Sequence, residues 1–471
     1  MEDPRMSHVV SMPSKVETTP DCPINLLETV SLLNKHLTEA LCAEIFQAVR
    51  TTEREREWSL FALGRFWTAV ALQAPSSTGQ ALDQARAGGN GLLPEVTATE
   101  SAAFQRFKTL HWKFFHALYY GFTQRLMGEA RPVFAGPISG LRERFPSIFL
   151  IDGSRLDPIA HKLKIVRNHA AAILPGCVSV IYDLFHGMTR QVLFDPDAAS
   201  PELPRAMPLL SSLPEGSLVV GDRLYASIQF FWELSRHKQW GVFRLNGVLK
   251  LERQHLISRK QCGGRTVVEE WLVLVGSGQT APEITLRLIS LRQGSLQRDL
   301  LTSVLDPEML RAEEALSLYP FRWKIERVFF DLKETLNLHK FYTANPNGVA
   351  MQLYATAMVY NAFRVAQGRI AQQHGITPEE ISPAKFFPKL AEASSNLAGA
   401  EQALLGVQRL NPGVPLRLPN VLELPLGRTT LQAILVRERS PHRRRRYFVE
   451  GRKRWKSLAH VSGGQKLTKL T

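Results

Sequence analysis

At Pro146 the apolar pattern of this 471-residue chain changes period. Upstream, from Ile24 to about Met127, apolar residues recur at helical spacing, as in Ile24, Leu27, Val30, Leu33 and Leu37. Downstream come short unbroken apolar runs of the kind that form buried strands. Ser147-Ile-Phe-Leu-Ile-Asp152 and Gly216-Ser-Leu-Val-Val-Gly-Asp222 are two such runs, and each ends on an aspartate. Between them, residues 178–183 and 190–194 read as two strands joined by a turn near His186 and Gly187, and residues 201–213 read as a helix. Residues 226–238 form an amphipathic helix and 241–245 a further short strand. About sixty β-rich residues follow, including 267–275 and 283–291, with glycines at the turns (Gly263, Gly264, Gly276, Gly278).

Upstream of this α/β segment, residues 1–24 are polar and carry Pro4, Pro13, Pro20 and Pro23, which reads as a loose arm. Within the helical stretch, Thr51–Trp58 reads as a helix start with a Thr cap and acidic first turn, and Leu60–Ala74 as a buried helix. Gly88–Gly91 is a loop, and Thr99 begins a helix that continues from Leu110 to Met127. Beyond 333, residues 349–372 read as a long helix, and 373–436 as short helices with Pro-rich connections (Pro412, Pro415, Pro419, Pro425). Residues 437–456 hold ten Lys/Arg against two Glu, +8 of the whole chain's +15, with Tyr447, Phe448 and Trp455 interleaved. Such a block suits phosphate neutralisation with base stacking; a disordered, solubilising tail has the same composition. The net charge points to a polyanionic partner. The four cysteines show no paired spacing, which argues against a zinc site and a disulfide framework and fits a reducing cytosol. No signal-peptide pattern opens the chain, and no run of about 18 apolar residues provides a membrane span.

The stretch Tyr319-Pro-Phe-Arg322-Trp323-Lys-Ile-Glu326-Arg-Val-Phe-Phe-Asp331-Leu-Lys333 sets Tyr, Arg, Glu and Lys at offsets of 0, 3, 7 and 14. At about 100° per residue these return to one helix face within a sector of roughly 60°. The neighbouring face carries Ile325, Phe329, Phe330 and Leu332 and suits burial. One carboxylate among cations and a phenol suggests a metal ligand set among phosphate-binding groups; a surface helix with an ordinary Arg322–Glu326 ion pair has the same spacing. Asp331, five residues past Glu326, points some 140° away.

This four-residue pattern resembles the signature of the YREK group of DDE transposases, in the type-four family of bacterial insertion sequences. All four letters stand at the family spacing, within Trp323-Lys-Ile-Glu326, after a similar lead-in at 300–306. Asp152 is trailed by Gly153 and Ser154, and Asp222 stands in Asp222-Arg223-Leu224-Tyr225, both similar to the family contexts; Leu224 departs from the Gly of many relatives and is expected to alter the turn and not the ligand. Taken alone, each aspartate also reads as a strand-end or turn residue, as do Asp157, Asp183, Asp195 and Asp197.

The resemblance, from about Ser147 to Ala366, implies an α/β fold. An RNase H-like core at 146–245, whose element order agrees, would carry a β-rich insertion at 246–308 and resume at 309–372. A helical DNA-binding domain at 25–145 would precede it, and a helical region at 373–436 and a basic tail at 437–471 would follow. It implies a transposase that binds terminal inverted repeats, cleaves strands to free 3′-OH ends and joins them to target DNA. Asp152, Asp222 and Glu326 would hold two Mg²⁺ ions, replaceable by Mn²⁺. Arg322, Lys333 and Tyr319 would contact phosphates near the cut. Arg106 and Lys108 in the helical domain and Arg443, Arg444, Arg445 and Arg446 in the tail would add DNA contacts. Trp240 and Trp271 are candidates for stacking a flipped base, although a core role suits each; Trp323 reads as a packing residue. The working form would be a homodimer on double-stranded DNA, in the bacterial cytoplasm at the nucleoid. The alternative from another class is a catalytically silent, transposase-derived repressor.

Overall fold

The computed structural model describes residues 23–87, 92–156, 176–262, 266–276, 282–410 and 428–436, with side chains described as far as 397 in the last long helix and again from 428. The Gly88–Gly91 loop, Asp157, the residues of the N-terminal arm before 23, the Pro-rich stretch 411–427 and the basic tail lie outside the described residues.

A short strand β1 (Pro23–Asn25) leads into six helices: α1 (Glu28–His36), α2 (Glu39–Val49), α3 (Leu60–Gln73), α4 (Thr78–Arg86), α5 (Glu100–Thr109) and α6 (Lys113–Met127). Thr38, Ser59, Ser77 and Thr99 each accept a backbone N–H from the first turn of their helix, the ordinary N-cap exchange. The helix expected at 51–58 does not form. The Glu53 carboxylate instead folds back to accept the N–H groups of Thr51 and Thr52 in a local turn, and the helix begins at Leu60 behind Ser59. The helix begun at Thr99 ends at Thr109 instead of running on, and α6 starts afresh at Lys113.

The α/β part builds one nine-stranded mixed sheet. In chain order its elements are β2 (Ile148–Arg155), β3 (Cys177–Asp183), β4 (Met188–Asp195), α7 (Glu202–Ala206), β5 (Leu218–Gly221), α8 (Ile228–Arg236), β6 (Trp240–Arg244), β7 (Leu251–Gln261), β8 (Thr266–Val275), β9 (Ile284–Gln293) and β10 (Leu296–Thr302). The strand order is β4-β3-β2-β5-β6-β10-β9-β8-β7. β2, β5 and β6 run parallel, and every other neighbouring pair is antiparallel. The β-rich segment after β6 therefore extends the same sheet through β10 and ends in an exposed edge strand, β7. This mixed α/β architecture is compatible with an RNase H-like core.

Alternate residues of the central strands enter two separate apolar cores, one on each sheet face. Ile148, Leu150, Leu218 and Val220 join the core that includes the N-terminal helices. Phe149, Ile151 and Val219 join the core under α8.

The last part comprises α9 (Ala312–Leu318), a 3-10 turn over Tyr319–Arg322, α10 (Trp323–Phe330), a π turn over Asp331–Thr335, α11 (Pro346–Gln373), α12 (Pro383–Leu410), β11 (Arg428–Thr430) and α13 (Leu431–Ile434). α11 is buried almost from end to end, between the N-terminal helices and the sheet face that carries β4. Two departures from the sequence reading stand out here. The region after 373 contains a 28-residue helix, α12, which accommodates Pro388. β11 pairs antiparallel with β1, so the C-terminal part of the described chain is tied to its beginning.

Candidate active site

The site is assembled where β2 and β5 end beneath α10. These strands are parallel, with Ile148, Phe149 and Leu150 opposite Leu218, Val219 and Val220. Asp152 and Asp222 each follow the last of these pairs by two residues, so they stand at matching levels on the same sheet face, the face that also packs Ile325 and Phe329 of α10. Local backbone fixes both carboxylates. Asp152 Oδ1 accepts the Gly153 N–H at 2.9 Å, and Asp222 Oδ1 accepts the Leu224 N–H at 2.7 Å. Leu224 is exposed, and its backbone stays out of the left-handed region, so this turn does not require glycine.

The signature stretch changes winding as it crosses the site. Pro320 lies in the first turn of the 3-10 segment, where its missing N–H breaks no ladder bond, and two residues beyond the π turn Asn337 stands in the left-handed region (φ 57°). Arg322 is nearly buried, and its Nη1 lies 3.2 Å from Glu326 Oε1 and 3.9 Å from Asp152 Oδ2. One guanidinium thus stands between the two carboxylates, where a cation belongs electrostatically. Lys333 reaches back to β2, donating to Ser154 Oγ at 2.7 Å and to the Arg155 carbonyl at 2.6 Å. Tyr319 is nearly buried; burial raises its phenol pKa, and both Arg322 and Asp222 are close enough to act on it. Burial, the Glu202 carboxylate and Asp222 push the Asp152 carboxyl up to about 7, against the opposing Gly153 N–H and Arg322.

An all-oxygen set of carboxylates suits hard divalent cations such as Mg²⁺ or Mn²⁺. Among the described residues no three acidic, His or Cys side chains converge tightly enough to hold one ion. The reason is visible in the geometry, since Glu326 is turned to Arg322.

Competing carboxylates fall away. Asp183 is paired in register with Phe149, at the other end of β2 from Asp152; its Oδ1 accepts the Phe185 and His186 N–H groups, and its Oδ2 meets His186 Nδ1 at 2.9 Å. Asp331 is buried and pairs with Arg327 at 3.1 Å, away from the site.

Arg106 is a correction. It is only 6% exposed, on the side of α5 that packs Ala103 and Phe107, and donates to the carbonyls of Trp58 and Arg54, so it is withdrawn from any groove. Lys108 on the same helix is exposed. Arg443, Arg444, Arg445 and Arg446 lie outside the described residues. Trp323 reverses its expected role: it is 60% exposed and carries the Arg322 guanidinium 4.4 Å from its ring centroid. Trp240 and Trp271 are half-buried against the two cores, and Arg253 lies 4.9 Å from the Trp271 ring. The sequence reading missed Glu202, which enters the site from α7; it lies fifty residues from Asp152, in no motif, and only the folded sheet brings it there.

Among known proteins, residues 146–362 match the family described as the transposase DDE domain, a span that contains Asp152, Asp222, Tyr319, Arg322, Glu326 and Lys333. A curated protein of Sinorhizobium fredii named "Putative transposase y4zB" is 27% identical over 192 residues, covering 38% of this chain and 53% of that protein. The chain thus spans about half the length of the curated relative it matches. No helix among the described residues is long and apolar enough to cross a membrane. This match lies over the sheet and helix that present the acidic site, so in residues 146–362 the chain is similar to the transposase DDE domain.

Proposed function

We propose that this chain is a cut-and-paste DNA transposase of the YREK group, with an RNase H-like catalytic core. The observation that carries the reading is the placement of Asp152 and Asp222 at matching levels on adjoining parallel strands, with the Arg322–Glu326 pair facing them. Asp152, Asp222 and Glu326 would hold two Mg²⁺ ions, or Mn²⁺ in their place. Bound there, the ions would activate the attacking oxygen and neutralise charge on the leaving oxygen.

The chain's own residues supply the rest. Arg322 offers a planar fork for one phosphate of the bound strand, and Lys333 a point charge for the next. On substrate binding Arg322 exchanges Glu326 for phosphate, which releases that carboxylate toward Asp152. Tyr319 donates a hydrogen bond to a phosphate beside the cut. Water adds to phosphorus as the P–O3′ bond breaks, and the 3′-oxygen leaves with a proton as a free 3′-OH. That hydroxyl then attacks a second phosphodiester, exchanging one P–O bond for another. Both ends of an element are cut, so a homodimer on DNA is the working form, in the bacterial cytoplasm. Residues 25–145, with Lys108 on their surface, and the basic tail at 437–471 hold the flanking duplex.

The test is strand cleavage of a labelled duplex bearing the element's own terminal repeat, with Mg²⁺. Wild type is expected to leave a 3′-OH at the repeat tip, and Glu326→Gln to bind the duplex without cutting it. Equal cleavage by both would remove Glu326 from the mechanism. One observation favours the silent repressor instead: Glu326 is engaged by Arg322 and does not meet the two aspartates. Binding without cleavage by wild type on paired ends would select that reading.

A further inference from the structure

Behind the Asp152–Asp222 pair, on the sheet face away from α10, one side chain links the two strand ends. Glu202 opens α7, and Tyr225 lies in the turn after Asp222. The Tyr225 hydroxyl donates to Glu202 Oε1 at 2.6 Å. Tyr225 is fully buried, its ring packed 5.1 Å from that of Phe230, so the hydroxyl has a fixed origin. The Glu202 side chain then lies across Gly153, the residue after Asp152. A Cβ at 153 would come within 2.5 Å of Glu202 Cδ, so only glycine leaves room for this contact. Gly153 and Tyr225, each within three residues of an aspartate of the site, therefore rest on the same carboxylate.

We propose, resting on the metal-site reading above, that Glu202 is a positioning residue of that centre: held by Tyr225, it braces the strand end at Gly153 and fixes Asp152 relative to Asp222. Its charge adds to the field that draws a divalent cation. It touches neither substrate nor reacting atoms.

The experiment is Mn²⁺ titration of the full chain without DNA, read from the electron paramagnetic resonance signal of free Mn²⁺, beside a metal-free thermal melt. Glu202→Gln keeps an acceptor for Tyr225 and loses the charge, and Tyr225→Phe keeps the charge and loses the hold. Gly153→Ala keeps every carboxylate but drives a methyl group into Glu202. All three should weaken Mn²⁺ binding by about 10-fold or more, as removing an outer supporting group does at metal sites, with melts close to wild type for the first two. Asp152→Asn is the reference for the site itself. If Asp152→Asn binds Mn²⁺ as wild type does, the metal-site reading fails and this inference with it. If Asp152→Asn loses binding while Glu202→Gln and Tyr225→Phe match wild type, the positioning role alone is wrong.

Discussion

A carboxyl held at about 7 by burial and by the carboxylates of Glu202 and Asp222 makes Asp152 a cost to the metal-free fold. In the unfolded chain it titrates near 3.9. The native state therefore holds the proton more tightly across the interval from about 4 to 7, and stability falls as pH rises through it. Above that interval the charge is unfavourable unless a cation meets it. Asp152→Asn should raise the metal-free thermal midpoint at pH 8 by a few degrees (roughly 1 °C for each kcal/mol in a chain of this size) and leave it unchanged at pH 4. Mg²⁺ should stabilise wild type at pH 8 and not the variant. A midpoint indifferent to this substitution at pH 8 would mean that the carboxylate is well solvated. Asp152 and Asp222 were recognisable in the sequence as strand-end aspartates, but grouping them with Glu326 rested on the resemblance to a family signature more than on spacing. Glu202 was not recognisable, because a contact between chain segments leaves no local pattern. Arg106 misled because charge marks a residue as exposed, whereas its guanidinium reaches inward to the carbonyls of a loop that sequence patterning had assigned to a helix.

Among the elements, α11 bears the largest share of the fold's organisation. Its buried Asn361 accepts the Thr189 N–H at 2.9 Å and the Thr189 hydroxyl at 2.8 Å, and donates to the Thr189 carbonyl at 2.9 Å and to the Thr123 hydroxyl at 3.2 Å. One amide thereby joins α6, β4 and α11. Asn361→Ala should cost about 2–4 kcal/mol in urea unfolding, because it strands several buried polar groups together. A cost below about 1 kcal/mol would show that water replaces the amide. Residues 349–372 read as a helix from periodicity alone, but the partners of its polar side chains did not. The short strands were recognisable where apolar runs are unbroken, whereas β7 (Leu251–Gln261) escaped because it is an exposed edge, polar on both faces. The signature helix was placed correctly, yet its changes of winding at Pro320 and after Phe330 have no counterpart in a uniform 100° step.

At the scale of the whole molecule, the N-terminal helices and the α/β part share one core, and their ionic seam runs through Glu129. Glu129 Oε1 meets Lys35 at 2.6 Å and His36 at 2.7 Å, and its Oε2 pairs with Arg369 of α11. Burial alone would raise its carboxyl, but Lys35, Arg369 and His36 outweigh that and hold it at about 2. Its folded value lies below the unfolded one of about 4.3, so the seam's contribution is complete above that pH and is lost as pH falls toward 2. Glu129→Gln should therefore destabilise by up to about 2–3 kcal/mol at pH 7, with the gap to wild type closing near pH 2; a gap constant with pH would point to packing instead of charge. Removing residues 437–471 takes away the whole +8 block of 437–456, with Lys466 and Lys469 besides. It should weaken binding to any duplex and flatten the dependence of affinity on salt, by about 0.9 for each phosphate that the tail no longer neutralises. An unchanged salt slope would sink the tail's role.

The central position of α11 also dictates an order of events during synthesis. The helices before residue 128 are made first, yet the element that fills the space among them leaves the ribosome more than two hundred residues later, and the β1–β11 clasp closes later still. A gene copy interrupted before residue 346 would therefore yield a chain whose N-terminal helices keep an apolar flank open to solvent, a substrate for chaperones and proteases. Chains truncated before α11 should therefore fail to accumulate, whereas chains read through α11 should not.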